Sequence, residues 1–411
     1  MKQIKSHILT VCILCSLFFV VEGNAQHLES LINVALTNNP EIKKFELRYK
    51  IASEKINEVN TIPNTEFGVG YFISTPETRT GAQRFKVSAK QMMPWFNTIS
   101  AREHYVNSLA KAKYEDIVIA KRKLISAVSQ SYYNLYANNA KQKVLIDNIE
   151  LLKTYETMAL TSVEVGKASV VDVLRLQMRQ NELQQLLEVL MQQFIAEQTA
   201  FNKLLNRERD IKVNVIKELR IPLKSFEDNT GNLELHPELL KFDKLYYSVE
   251  QSELLNQKES SPMIGFGLDY INVEKRPNLD FSDNGKDIVM PMVSISIPIF
   301  NNKYKSKTVQ NRLQQQEIIA QKQERLNKLT TRLDKAFNDR ISSRISYQTQ
   351  SKNLIQAKNA QDILTKSYET GTINFNDVLD IQELQLKFQL NQVESIRRYY
   401  IQSTIINYLK Q

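Results

Sequence analysis

The sequence predicts a mainly α, internally duplicated protein whose long antiparallel coiled-coil helices carry four β-strands. Three observations predict it. The stretch Ser162–Gln177, SVEVGKASVVDVLRLQ, returns as Ser367–Gln382, SYETGTINFNDVLDIQ, with seven of sixteen positions identical at an offset of 205. The runs Ile99–Val165 and Asn302–Glu369 contain neither proline nor glycine, and at 1.5 Å per residue each makes a helix of roughly 100 Å. Few globular domains hold such a helix, so a coiled coil or helical tube is implied. Four shorter segments alternate apolar with polar residues, the period of a strand with one apolar face.

At the N-terminus, Lys2 and Lys5 precede the apolar run Ile8–Val21, and Gly23-Asn24-Ala25 offers small residues for cleavage. Residues 1–25 read as a secretory signal peptide; the run is too short for the roughly 20 residues of a spanning helix. Cys12 and Cys15 lie inside it, so the mature chain needs no disulfide and no thiolate chemistry. Val11 and Leu14 before them disfavour lipidation. The formal charge of +9 is dispersed with Glu along helices in an exported chain, which points to solvated faces and no nucleic acid.

The first repeat covers 26–206. Its opening helix breaks at Asn38-Asn39-Pro40-Glu41, with Pro at a first turn. A strand is expected over 64–74, a loop over Pro76–Gly81, and a strand over 84–93 that closes on Pro94-Trp95-Phe96-Asn97. The long helix ends at Gly166, because glycine supplies the left-handed residue past a helix end. A tip over 166–171 follows, then a return helix with Val173, Leu176, Gln180, Leu183, Leu187, Leu190 and Phe194 on a three/four seam. Residues 207–235, with Pro222, Asp228-Asn229 and Gly231, read as the linker.

The second repeat, 236–411, replays the order. His236-Pro237-Glu238 starts a helix, strands follow over 263–273 and 288–297, and Pro298-Ile299-Phe300-Asn301 closes them. The second tip is 371–376. Its seam counterparts are Val378, Ile381, Gln385, Phe388, Gln392, Ser395 and Tyr399, so the glutamine interruption repeats while the far end grows more polar.

On the strands the apolar faces are Phe67, Val69, Tyr71, Ile73; Phe85, Val87, Ala89; Ile264, Phe266, Leu268, Tyr270; and Val289, Val293, Ile295, Ile297. Opposite them stand Gly, Ser, Glu, Asp, Arg84, Lys86 and Lys90. With a signal peptide and Trp95, Phe96 and Phe300 at the strand ends, this is the pattern of an outer-membrane barrel with its aromatic girdle. Four strands cannot close a barrel, so their edges pair with other copies; two copies give eight strands, three give twelve. Strict alternation turns Met92, Met290 and Met292 to the polar face, where thioethers suit soft ions such as Cu(I), although lipid-facing or gap-filling methionine is the commoner role and Arg84, Lys86 and Lys90 on that face repel cations.

The doubled series of Asn-Pro-Glu and His-Pro-Glu helix starts, strand pairs, Pro94-Trp95-Phe96 and Pro298-Ile299-Phe300 junctions, and Gly-x5-Asp-Val-Leu tips resembles the TolC family of outer-membrane efflux proteins across the mature chain. The resemblance implies a homotrimer with a twelve-stranded barrel in the cell outer membrane and a periplasmic helical tunnel. It also implies that the closed end meets a periplasmic adaptor (membrane fusion) protein and an inner-membrane pump of the resistance-nodulation-division type. The run Gln91–Phe96 is more similar to the branch that serves heavy-metal and cation pumps. The rival reading is a structural coiled-coil protein of the periplasm or cell surface without a pore.

At the tips, Asp172, Asp377 and Asp380 stand at helix starts, where a carboxylate caps or, around a three-fold axis, forms a ring of charge. Arg175 occupies the first-copy position of Asp380, so the two are candidates for a pair that shuts the tip. Gly166, Lys167, Gly371 and Asn374 are the expected adaptor-docking residues. No enzyme is expected: His7 is in the leader, and His27, His104 and His236 are isolated, without metal-site spacing. Gly68-x-Gly70 and Gly265-x-Gly267 lie in strands, not in a nucleotide fingerprint, and no cofactor is implied.

Overall fold

Residue Asn39 shows how the chain builds its punctuation. Helix α1 (Ala25–Asn38) ends there and α2 (Pro40–Val59) begins one residue later. The Asn39 side-chain oxygen accepts a hydrogen bond from Glu41 N at 2.8 Å, and its amide donates to Leu204 O at 2.9 Å. One side chain thus caps α2 and ties it to the end of a helix far away in sequence. A computed structural model describes residues 25–166, 169–222 and 233–410. The expected leader short of Ala25, Lys167, and the linker breakers Asp228-Asn229 and Gly231 lie outside the described residues.

Strands β1 (Glu66–Tyr71), β2 (Glu77–Thr78), β3 (Gly81–Met93), β4 (Met263–Glu274) and β5 (Ile288–Ser296) form one antiparallel sheet in the order β1-β3-β4-β5, with short β2 beside β3. The two hairpins of the repeats are therefore joined edge to edge through β3 and β4. The register runs Phe67, Ala89, Leu268, Pro291 across one row and Gly68, Ser88, Asp269, Met290 across the next. Pro291, which has no N–H to give, sits on an edge strand, where it is tolerated.

One expectation changes. The register slips between Gln83 and Phe85, so Arg84 is a bulged residue and does not continue the polar row of Lys86 and Lys90. It pairs with Glu274 at the end of β4. A bulge inserts one residue and reverses the alternation beyond it on the bulged strand, while β4 keeps its own alternation and Val273, opposite Gln83, is buried.

Helices α3 (Thr98–Glu164) and α6 (Lys303–Glu369) have 67 residues each. Asn301 Oδ1 starts α6 by accepting from Lys303 N at 2.9 Å. Both helices end at glycines in the left-handed region, Gly166 at φ +70° and Gly371 at φ +77°. At the second, Gly371 N donates to Tyr368 O and Thr372 N to Ser367 O, the double bond of a Schellman end. The return helices are α4 (Val170–Leu204), capped by Ser169 Oγ, and α7 (Phe375–Lys410), while Pro237–Glu259 forms α5.

Near the tips, Leu152, Tyr155 and Ala159 of α3, Val173, Leu176 and Leu183 of α4, and Phe375 and Val378 of α7 share one core. The glutamine interruption of the seam is a hydrogen-bonded rung in both repeats. Gln180 Nε2 donates to Glu156 at 2.8 Å, and Gln385 Nε2 to Gln361 at 2.7 Å; Glu156 and Gln361 are themselves related by the 205 offset.

The contacts divide the chain into two compact units, one taking residues up to Lys43, Val118–His236 and Asn327 onward, the other Lys44–Ile117 and Pro237–Leu326. Each draws on both repeats, and α3 and α6 contribute to both. In the first unit the described part of the expected linker, 207–222, is laced to the helices: Ile216 N and Leu219 N donate to the hydroxyls of Tyr132 and Tyr136, and Tyr400 OH donates to Arg220 O. Val213 and Ile221 are buried.

In the same unit Glu394 accepts from Lys141 at 2.9 Å and from one edge of the Arg397 guanidinium, through Nε and Nη2. Burial alone would raise its pKa, yet the bonds and charges of Arg397 and Lys141 hold it at about 2. A depressed carboxylate stabilises the fold above its unfolded value near 4.3 and loses that contribution as pH falls toward 2. Glu394→Gln is expected to cost about 1–3 kcal/mol at pH 7, with the gap to the parent shrinking between pH 5 and pH 3. Urea denaturation at the three pH values checks it; a pH-independent gap would remove this role.

Candidate functional site

The sheet has two chemically opposite faces. On one, Phe67, Val69, Tyr71, Phe266, Leu268, Val289, Val293 and Ile295 are all at least half exposed, Val69 at 81%. The other holds Gly68, Gly70, Gly265 and Gly267 with Glu66, Lys86, Ser88, Lys90, Asp269 and Ser294, as the register requires. Asp269 is fully buried there and is met by the Lys86 ammonium. A buried carboxylate without such a partner would be strongly disfavoured. The pairing was not visible in the sequence beyond the shared parity of the two residues.

Met92, Met290 and Met292 lie on this second face. A side chain at Gly265 would collide with Met92 Sδ and Ser294 Oγ, and one at Gly267 would press on Met292. The glycines of β4 thus form a trough that methionines from both neighbouring strands cover.

At the tips, Arg175 donates through its guanidinium to Asn376 of the other repeat and lies 3.9 Å from Asp172. Within one chain it therefore does not pair with Asp380, which is exposed, as are Asp377 and Asn374. Arg179, one turn on, bridges Glu383 at 3.4 Å, a second link between the repeats that sequence reasoning missed because its partner is supplied by a distant helix. Gly166 and Gly371 have open space around them. Among the described residues no group of three or more His, Cys, Asp or Glu is arranged to hold a metal ion.

No protein-family model and no curated protein sequence matches the chain. Solved structures do. The chain superposes on the channel-forming protein CusC with a TM-score of 0.77, at 14% identity over 95% of each chain. The outer membrane protein VceC of Vibrio cholerae matches at 0.73, with 15% identity over 93% of this chain and 96% of that one. The outer membrane channel CmeC of Campylobacter jejuni matches at 0.74, with 16% identity over 93% and 85%. The chain has the fold of these outer-membrane channels, which is the TolC-type fold expected from the motifs.

Proposed function

We propose that three copies of this chain form a passive outer-membrane channel that carries substrate from the periplasm to the exterior in a tripartite efflux system. The observation that carries the reading is the sheet. Its apolar face is exposed across four strands, too large an area to leave in water, and among the described residues its β1 and β5 edges have no partner strand. Lipid covers the face, and neighbouring copies pair the edges. Exposed Ile341, Ile345, Ile355 and Ile363, which recur along one stripe of α6, give further copies an apolar surface to pack on. The pore-free coiled-coil alternative leaves the sheet unexplained. Single-channel conductance in planar bilayers tests the reading; purified protein that forms no pores would overturn it.

In this reading the tips around Gly166, Lys167, Gly371 and Asn374 dock the periplasmic adaptor, and an inner-membrane pump of the resistance-nodulation-division type drives transport. A cysteine replacing Asn374 is expected to crosslink to the adaptor, and one replacing mid-helix Lys352 is not. Arg175, Asp172, Asp377 and Asp380 form the gate around the three-fold axis. Replacing Arg175 and Asp380 together by Ala is expected to raise conductance, and unchanged values would reject this gate.

Metal cations are the second substrate reading, favoured by three thioethers on the lumen face. Its expected result is that deletion sensitises cells to copper or silver more than to dyes, and that Met→Leu at 92, 290 and 292 reproduces part of the effect. Sensitivity to dyes alone removes the metal assignment and leaves the conduit standing.

A further inference from the structure

We propose that Lys303 and Lys307, at the junction between β5 and α6, hold the headgroup phosphate of an anionic glycerophospholipid; the proposal rests on the reading that the sheet lies in a membrane. Where β5 ends, Ile297 and Ile299 are exposed and Phe300 is completely so. Helix α6 begins three residues later with Lys303, Lys305 and Lys307. From Ile288 to Gln316 the chain has no carboxylate at all. The apolar band therefore passes directly into a patch of one sign, which is the order in which a lipid presents its acyl chain and its phosphate.

The lysines are not occupied by the protein. Tyr304, Thr308 and Asn311 form the α6 face that meets α5: Asn256 donates to Tyr304 O at 2.9 Å and to Thr308 Oγ1 at 3.1 Å, and Ser252 to Asn311 at 3.2 Å. Lys303 and Lys307, one turn apart, share a flank of that face, and Lys305 lies on the other. Among the described residues none of the three has a carboxylate within ion-pair distance. Glu253, beside them in the fold, is already taken by Thr308 and Asn311. The one cationic contact is Lys303 against the Tyr304 ring at 5.7 Å.

The duplication supplies an internal control. With Pro94 laid on Pro298, the three lysines correspond to Ile99, Ala101 and Glu103, and the nearest cation of the first junction, Arg102, is consumed by Glu259 at 3.0 Å. The strand-to-helix junction forms equally well without the lysines, so the fold does not require them. Flexible stems let lysines reach phosphates at the edge of an apolar band, and such attraction is worth about fivefold in affinity per lysine at a membrane surface.

The test is lipid retention by the purified full chain in nanodiscs and in native mass spectrometry, with phosphatidylglycerol or phosphatidylcholine as the probe. Phosphatidylglycerol is expected to be retained preferentially, Lys303→Gln with Lys307→Gln to weaken retention about thirtyfold, and Lys305→Gln by no more than about fivefold. Lys352→Gln with Lys358→Gln, in mid-helix, is expected to change nothing. Equal retention of the two lipids, an unaffected double variant, or displacement by inorganic phosphate at matched concentration overturns the headgroup site while leaving the channel intact. Failure to enter either bilayer overturns the membrane reading and this site with it.

Discussion

Leu268→Arg is expected to abolish stable membrane assembly, whereas Ser88→Arg, one row away on the opposite face of the same sheet, is tolerated. Leu268 stands in register with Ala89 and Pro291 at the middle of the strands and is half exposed on the apolar face. A guanidinium at the centre of a bilayer costs about 2–4 kcal/mol; with three copies the penalty sums to roughly 6–12 kcal/mol if the sites act independently. Ser88 stands between Gly68 of β1 and Asp269 of β4, on the polar face, where its neighbours are a residue without a side chain and a carboxylate. The check is the fraction of each variant that fractionates with membranes as a heat-resistant oligomer. If both arginines behave alike, the apolar face is not in lipid.

Phe375→Ala is expected to loosen the second tip far more than Val170→Ala loosens the first, although the two positions are equivalent in the repeat. Phe375 is 2% exposed and sits edge-on to Tyr155 at 5.8 Å and Tyr368 at 4.9 Å, while Val170 is 60% exposed. Emptying the aromatic site costs about 3–5 kcal/mol. Because the site joins α7 to α3 only locally, the cost falls on opening of the tip. Amide exchange over residues 367–380 is expected to accelerate roughly a hundredfold or more, with little change at the Tyr132–Ile216 strap. In the channel reading the same variant leaks. Exchange that stays slow would mean that the aromatic trio does not hold the tip.

The features that the sequence made legible are those set by local rules. Glycine at 166 and 371 announces a left-handed residue whatever surrounds it, and runs without proline or glycine announce the two long helices. Alternation alone assigns the apolar face, because none of the described residues covers it. What escaped depends on partners distant in sequence. Arg84 leaves the polar row because it is the bulged residue between Gln83 and Phe85, and there it pairs with Glu274 on another strand. Residues 207–222 read as a linker from their breakers, yet the hydroxyls of Tyr132 and Tyr136 fasten them. Within one chain Arg175 meets Asn376, a contact between the repeats that only the packed tips reveal. The glutamine interruption repeats in the sequence; that each glutamine finds its acceptor at the same offset, in Glu156 and Gln361, depends on the packed helices.

The claim on which the account turns is that β1 of one copy pairs with β5 of the next to close a barrel of three chains. Within a single chain those edges are separated by two intervening strands, so a disulfide between them reports only on a neighbour, and both native cysteines lie in the expected leader. Glu66→Cys combined in turn with Met290→Cys, Met292→Cys and Ser294→Cys, all on the same face of the sheet, scans the register across the joint. The account predicts that at least one combination, oxidised in membranes, gives a covalent trimer as its largest species, while each single cysteine does not. Monomers at every register, or a ladder that runs on past three, would contradict it.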